Sequence, residues 1–299
     1  MNKTINDLLL ENQDYYNQSD IIKFINVLDK DVYNISAPFN YKNSKYIVGR
    51  LEPRNNIEAK SCFFKQIDET NYELCNDLPK FNLEDPFIVK IKDEFIFGGV
   101  KVSENNDHLT WKTVFYKGKS LNDLVEFASS PIGMKDVRLV ELDEKIGVFT
   151  RPQNGIYKSG KIGFLLINSL EELTEKIINE AKILDLFNDK EWGGVNEAKK
   201  YNENEIFVLG HIAKYTDENI KHYYPITFIF NYNEFTIKNL KIVTKSDDFN
   251  NREFKKESLK DIVFPGGISN YFNDKVKLFV GIGDCQAQMI EILNPFISR

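Results

Sequence analysis

Acidic residues, arginines and one histidine recur at the edges of short apolar runs. Asp85 precedes Pro86, Asp136 follows Lys135, Arg151 follows Thr150, His211 follows Gly210 and Asp284 follows Gly283. Glu197 and the pair Arg50 and Glu52 stand in comparable places. No motif marks a thiol or hydroxyl nucleophile, since the chain has neither a Gly-x-Ser-x-Gly elbow nor a Walker sequence. Such a set suits glycosyl transfer. Cleaving a glycosidic bond needs a carboxylic acid to protonate the leaving oxygen, and an inverting enzyme brings its nucleophile to the opposite face. When that nucleophile is phosphate, a cationic cradle replaces the second carboxylate. Arginine suits it, because its planar fork binds phosphate oxygens bidentately and keeps its charge. Plainer roles stand beside these: Asp85-Pro86 as a strand-entry turn, Arg151 paired with Asp136 across a sheet, His211 as a satisfied buried imidazole and Asp284 as a turn cap.

The elements that must position these residues are strands. Period-two alternation, broken by Asn, Asp, Gly and Lys, predicts antiparallel strands over Phe87 to Ile91, Glu94 to Val100, Val137 to Leu142 and Ile146 to Thr150. It predicts others over Ile162 to Asn168, Ile206 to Ala213 and Val276 to Val280. A helix is expected from Ser169, where Ser169-x-x-Glu172 reads as a capping box ahead of the stripe Leu170, Leu173, Ile177, Ala181 and Leu184. A second, N-terminal helix is expected over roughly Ile5 to Tyr15, with residues 1–40 capping the fold. A strand, polar turn and strand plan recurs with starts at residues 85, 136, 194 and 265, and in a less complete copy from Lys45 to Arg54. The unit is somewhat longer than the roughly 40 to 50 residues of known propeller blades, so residues 1–299 are expected to form a single all-β domain, a five-bladed β-propeller with a few peripheral helices. A sandwich or barrel whose hairpins merely look alike is the alternative. In each hairpin the start of the first strand and the end of the second share a pole, which would gather the acids, arginines and His211 at one mouth.

Composition narrows the partners. With 39 Lys and Arg against 45 Asp and Glu the net charge is −6, so nucleic acid and anionic membranes are not expected as partners, while a local phosphate pocket among Arg50, Arg54 and Arg151 is compatible with it. Cys62, Cys75 and Cys285 lack a C-x-x-C arrangement, and His108, His211 and His222 lack zinc-ligand spacing, so neither a metal site nor a disulfide scaffold is expected. The short run Leu8 to Leu10 does not make a signal peptide and no apolar stretch is long enough to span a bilayer, so a soluble cytoplasmic protein is expected. Gly281-Ile-Gly283 follows a strand, but Gln286 replaces the third glycine of a dinucleotide fingerprint. Most of the 23 Phe and 14 Tyr are expected to pack between sheets, leaving Trp111, Trp192 and some tyrosines to stack on sugar faces.

The ordered set Val48-Gly-Arg-Leu-Glu-Pro-Arg54, Leu83-Glu-Asp-Pro86, Lys135-Asp136, Phe149-Thr-Arg-Pro152, Leu209-Gly-His211, Val263-Phe-Pro-Gly-Gly267 and Gly281-Ile-Gly-Asp284 resembles the β-mannoside phosphorylases of glycoside hydrolase family 130. It is closer still to their relatives once catalogued as a domain of unknown function, which include dual mannosyltransferase/phosphorylases of β-1,2-mannan. The resemblance covers roughly residues 40 to 290 and implies a five-bladed propeller. It implies that Asp85 is the catalytic acid, acting through a sugar hydroxyl, that Arg151 and His211 bind phosphate, and that Arg50, Glu52, Asp136, Glu197 and Asp284 line the substrate pocket. The implied reaction is inverting phosphorolysis of a β-mannoside to α-mannose 1-phosphate or mannosyl transfer. It needs no cofactor beyond inorganic phosphate as co-substrate, or a nucleotide-activated mannose as donor. Manno-oligosaccharide and phosphate are the implied partners, and an oligomer is compatible with them. Phe87 and Gly133-Met134 depart from the family, whose phosphorylases carry Arg and Arg-Asn there; Lys135, Lys158, Lys161 and Lys199 are the cations available to compensate. Hydrolysis by Asp85 and Glu197, and a non-catalytic sugar-binding propeller, are the alternatives.

Overall fold

Alternating sequence becomes strand throughout, with 55% of the chain in strands and 8% in helices. The computed structural model describes residues 2–11, 18–55, 58–105, 108–153, 159–216 and 220–297. Antiparallel meanders follow one another along the chain. Ser44–Pro53, Lys60–Gln66 and Asn71–Leu74 form one with Lys30–Tyr33 and Phe39–Tyr41, extended by Lys23–Ile25 paired parallel to Asn71–Leu74; Glu84–Ile91, Glu94–Asn105, His108–Gly118 and Val125–Ser129 form the next. Arg138–Leu142, Lys145–Thr150, Gly163–Ile167 and Lys182–Ile183 form a third. The remaining strands make one eight-stranded sheet of two antiparallel parts, Trp192–Lys200 through Thr236–Ile242 and Asp261–Ser269 through Gln286–Leu293. A parallel contact of only two residue pairs, His222 with Asp261 and Tyr223 with Ile262, joins the parts.

The chain closes on itself. Asp20 and Ile21 pair with Met289 and Gln288 of the last strand, so the N-terminal segment completes the C-terminal meander. Residues 1–40 therefore do more than cap the fold: the helix Ile5–Glu11 covers one core, and the segment after it supplies strands to two meanders. The expected continuation of that helix to Tyr15 lies outside the described residues. The helix expected from Ser169 is instead two short pieces, the 3-10 turn Leu170–Glu172 and the helix Glu175–Asn179. Glu172 accepts from the backbone and side chain of Asn168 rather than boxing with Ser169, and Thr174 caps the second piece by accepting from the Ile177 N–H at 3.3 Å.

Among the described residues five hydrophobic cores hold the meanders together, and each draws on two that are consecutive around the closed chain. Phe149, Phe164 and Phe230 join the third meander to the one after it, with ring centroids 4.8 to 5.8 Å apart. Phe207, Tyr271 and Phe296 stack between the last two. The aromatic surplus is thus largely used as cement between sheets, as its composition predicted.

Phe149 is fully buried and Phe272 is 86% exposed. Phe149→Ala is therefore expected to lower unfolding free energy by about 3–5 kcal/mol, whereas Phe272→Ala should stay within about 0.5 kcal/mol of wild type. Urea unfolding of the two variants side by side checks both figures.

Candidate active site

Backbone irregularities recur from one meander to the next. Asn34, Asp85 and Asp136 have φ of 47°, 47° and 58°, in the left-handed region that Asn and Asp tolerate best. Register shifts mark the same level between Glu84 and Phe87, between Val195 and Glu197, and between Pro265 and Gly267. Such bulges re-aim a side chain without ending the strand. Here they bring polar residues together.

Asp85 accepts from Asn34 Nδ2 at 2.7 Å and faces Arg50 Nη1 at 3.5 Å. Arg50 Nη2 also lies 3.1 Å from Glu52 and 3.1 Å from Glu84, and its guanidinium stacks on Tyr33 with 5.1 Å to the ring centroid. Three carboxylates consume the Arg50 charge, so it organises the acids and does not act as a free anion receptor. Glu52 sits behind it, 1% exposed, accepting from Tyr33 and from Lys255 at 2.8 Å. It fixes Arg50 and does not itself face open space. Asp284, at φ 56° in the turn after Lys275–Ile282, completes the acidic side. Burial first, and then the Asp85 charge, raise its carboxyl above the usual carboxylate range, against Arg50, Lys221 and Lys135.

The other side is cationic. Arg151 is 1% exposed and Asp136 2%. Their closest approach is 3.2 Å, while Arg151 Nε donates to the Gly193 carbonyl at 2.7 Å and Nη1 to Gln153 at 3.0 Å. The plainer reading of Arg151, a carboxylate partner across the sheet, is thus realised, and it coexists with the open cavity that Arg151 lines. Glycine makes the slot: a Cβ on Gly194 would lie 2.6 Å from Arg151 Cδ, and one on Gly160 2.6 Å from Nε. His211 Nδ1 pairs with Asn196 Oδ1 at 2.8 Å, and its ring stacks on Tyr223. Burial, then the charges of Arg151, Lys135 and Arg138, hold His211 neutral, well below the ordinary histidine range, with Asp85 acting in the opposite sense.

Two expected residues lie elsewhere. Glu197 accepts from the Ile268 N–H at 2.7 Å and the Tyr271 hydroxyl at 2.6 Å, with Lys199 at 3.4 Å. The bulge between Val195 and Glu197 gives the inward place to Asn196, so Glu197 does not oppose Asp85. Arg54 is half exposed and bound to Asp31 and Glu253, outside the cluster. Of the compensating lysines, Lys135 lies within electrostatic reach of His211 and Asp284, Lys161 donates to the Phe187 carbonyl, Lys199 stacks on Tyr271, and Lys158 is outside the described residues.

Three site residues escaped the sequence reading. Arg138 stacks on Phe87 with 4.4 Å to the ring centroid and approaches Asp136 at 3.6 Å, so a guanidinium sits over the ring at the position where the resemblance implied an arginine. Asn34 precedes Asp85 by the same interval at which Asp85 precedes Asp136, a signal present in the numbering. Asn196 is hidden behind its bulge. Asn34 Oδ1, Arg50 Nε, Asp136 Oδ1 and Asn196 Nδ2 are buried without a hydrogen-bond partner among the described residues. Unpaired buried polar atoms are costly, and several on one mouth suit a hydroxyl-rich ligand. No cluster of three or more metal-ligating side chains occurs among the described residues, and no described helix is long and apolar enough to cross a membrane.

The family model described as a protein of unknown function (DUF1861) matches residues 9–298. The chain belongs to the DUF1861 family. This DUF1861 chain is also similar to solved structures across nearly all its length. A mannose phosphorylase from Leishmania mexicana, in complex with phosphate ion, is 30% identical, with a TM-score of 0.89 over 98% of this chain and 92% of that one. A GDP-Man-dependent mannosyltransferase from Leishmania mexicana is 30% identical, with a TM-score of 0.90 over 99% and 96%. A β-1,2-mannobiose phosphorylase from Listeria innocua, 13% identical with a TM-score of 0.68 over 95% and 93%, shares the fold. The fold is accordingly of the propeller-like kind found among glycoside hydrolases. No curated protein matches the sequence.

A neutral buried His211 has a consequence for stability. Its folded pKa lies below the unfolded value of about 6.5, so the unfolded state binds the extra proton and stability falls as pH drops below that value, by up to about 1.4 kcal/mol per pH unit. Unfolding free energies measured from pH 7.5 downward should show a steeper acid loss for wild type than for His211→Gln; equal slopes would exclude this role.

Proposed function

We propose that this protein is a carbohydrate-active enzyme that transfers a mannosyl unit. It would cleave β-mannosides, β-1,2-linked ones first, by inverting phosphorolysis to α-mannose 1-phosphate, or run mannosyl transfer onto an acceptor. The observation that carries the reading is the juxtaposition of Asp85 and Asp284 with the buried Arg151, Asp136 and His211 across one mouth. Similarity over nearly the full length to a mannose phosphorylase and a mannosyltransferase gives the substrate.

In this scheme a phosphate oxygen, held on the Arg151 side, attacks the anomeric carbon as the bond to the leaving oxygen breaks. Asp85 supplies the proton for that oxygen, and Asp284, its carboxyl raised, lies beside it as a second proton holder. Asp136, Asn34 and Asn196 carry buried polar atoms without a hydrogen-bond partner among the described residues, which sugar hydroxyls would satisfy. Arg50 fixes the acids, and His211, kept neutral, adds no charge that would compete with the arginine. Glu197 is turned away, which favours phosphate over a water-activating pair of Asp85 and Glu197. We further read the architecture as one domain of five blades, which the five cores between consecutive meanders support. Three free cysteines suit a reducing, cytoplasmic location.

Incubation with β-1,2-mannobiose and phosphate should yield α-mannose 1-phosphate, followed by phosphorus NMR. Asp85→Asn should lower the rate by about 10²–10⁴-fold. Free mannose without sugar phosphate would point to hydrolysis, and binding with no turnover to a sugar receptor.

A further inference from the structure

Two guanidinium groups share one carboxylate on the cationic side of the mouth. Arg151 Nη1 lies 3.2 Å from Asp136 Oδ2 and Arg138 Nη2 lies 3.6 Å from Asp136 Oδ1, so each arginine faces its own oxygen. Asp136, Arg138, Arg151 and His211 are each no more than 4% exposed, and His211 is neutral. One positive charge is therefore left over among four side chains almost wholly out of water. The acids across the mouth have partners of their own: Arg50 for Asp85, Glu84 and Glu52, and Lys255 for Glu52 again. A buried charge without a counter-ion is costly, and a bound anion would relieve it. We propose that Arg138 is a positioning residue for the anion seat: it neutralises Asp136 from behind, so that the charge of Arg151 stays available to phosphate, and it does so without touching phosphate itself. The proposal rests on the phosphorolysis reading above.

The geometry places Arg138 behind the seat. Arg151 lines an open cavity of about 560 Å³, whereas Arg138 lines a different one, of about 620 Å³, which follows the strands from Phe87 to Lys90, Arg138 to Glu141 and Asn196 to Lys200. Its donors are already engaged. Nε donates to the Asn196 carbonyl at 3.1 Å and Nη1 to the Val137 carbonyl at 3.2 Å, while the guanidinium plane rests on Phe87. Phe87 is itself fixed, edge-on to Phe115 at 5.9 Å and seated over Gly98, where a Cβ would lie 2.5 Å from the ring. Swinging into the mouth would cost Arg138 both hydrogen bonds and the stack. Its influence there is electrostatic: its charge acts with those of Arg151 and Lys135 in holding His211 neutral. Burial lowers the pKa of Arg138 against the opposing charges of Asp136 and Asp85, and a guanidinium keeps its proton at neutral pH.

Calorimetric titration of the full chain with inorganic phosphate, without sugar, tests this. Arg138→Met should weaken phosphate binding by about tenfold or more, the low end of what one nearby charge does to a buried ionic equilibrium. Arg138→Gln, which keeps a polar head for the two carbonyls, serves in its place if the methionine variant is unstable, and should show the same loss. Arg138→Lys keeps the charge and should recover most of the affinity. So should the double variant Arg138→Met with Asp136→Asn, which removes the carboxylate together with the group that neutralised it and again leaves Arg151 unspent. A merely structural role predicts the double variant to be no better than Arg138→Met. Uncharged β-1,2-mannobiose should lose much less affinity in Arg138→Met than phosphate does. Phosphate binding that is absent from wild type, unchanged in Arg138→Met, or as weak in the double variant as in the single one would overturn the proposal. Phosphate binding that follows the expected pattern with no mannosyl product would keep the seat and sink the mannosyl reading. Phosphorolysis by Arg138→Met with an unchanged KM for phosphate would do the reverse.

Discussion

The buried pair of Asp136 and Arg151 is the contact on which the rest of the mouth depends. Two charges are taken almost wholly out of water, 3.2 Å apart, which is tolerable only with further partners: hydrogen bonds to Gly193 and Gln153 for Arg151, and the charge of Arg138 at 3.6 Å for Asp136. Removing either partner would strand the other, at about 3–5 kcal/mol. The consequences radiate outward. Glycine is required at 194 because the guanidinium stem fills the space of a Cβ, and His211 stays neutral partly because Arg151 and Arg138 are close.

That pair exists because the backbone is bent where the strands enter the mouth. Left-handed φ at Asn34, Asp85 and Asp136, and bulges before Glu197 and Gly267, each cost something locally, of order 1–3 kcal/mol for a strained residue. Cores between neighbouring meanders, rich in Phe packed at tilted or edge-on angles, hold the ends of those strands rigid enough to sustain the strain. The closing strand Asp20–Ile21, paired with the last strand, ties the first and last meanders into the same frame. Rigidity here serves chemistry, since an acid and an arginine on opposite sides of a sugar must keep their separation.

Much of this was legible in the sequence. Strand alternation and the recurring strand, turn and strand plan placed Asp85, Asp136, Arg151, His211 and Asp284 at one pole, and the structure brings them together. Glu197 was misplaced because a bulge adds one residue and inverts the side-chain phase, which periodicity does not reveal. Arg54 was grouped with the site through its motif, yet Asp31 and Glu253 draw it outward. The helix from Ser169 followed a capping pattern that Asn168 intercepts. Arg138 carries no distinguishing motif in the sequence, and its stacking on Phe87 is visible only in the fold.

The central claim is that sugar and phosphate meet between the acidic and cationic sides of this mouth. A crystal structure of Asp85→Asn with β-1,2-mannobiose and phosphate tests it most directly. The account predicts a mannosyl ring bonded to Asp136 and Asn34, with an anion beside Arg151 on the face of the anomeric carbon opposite the leaving oxygen. Sugar bound at another pole, or an anion bound away from Arg151, would contradict it.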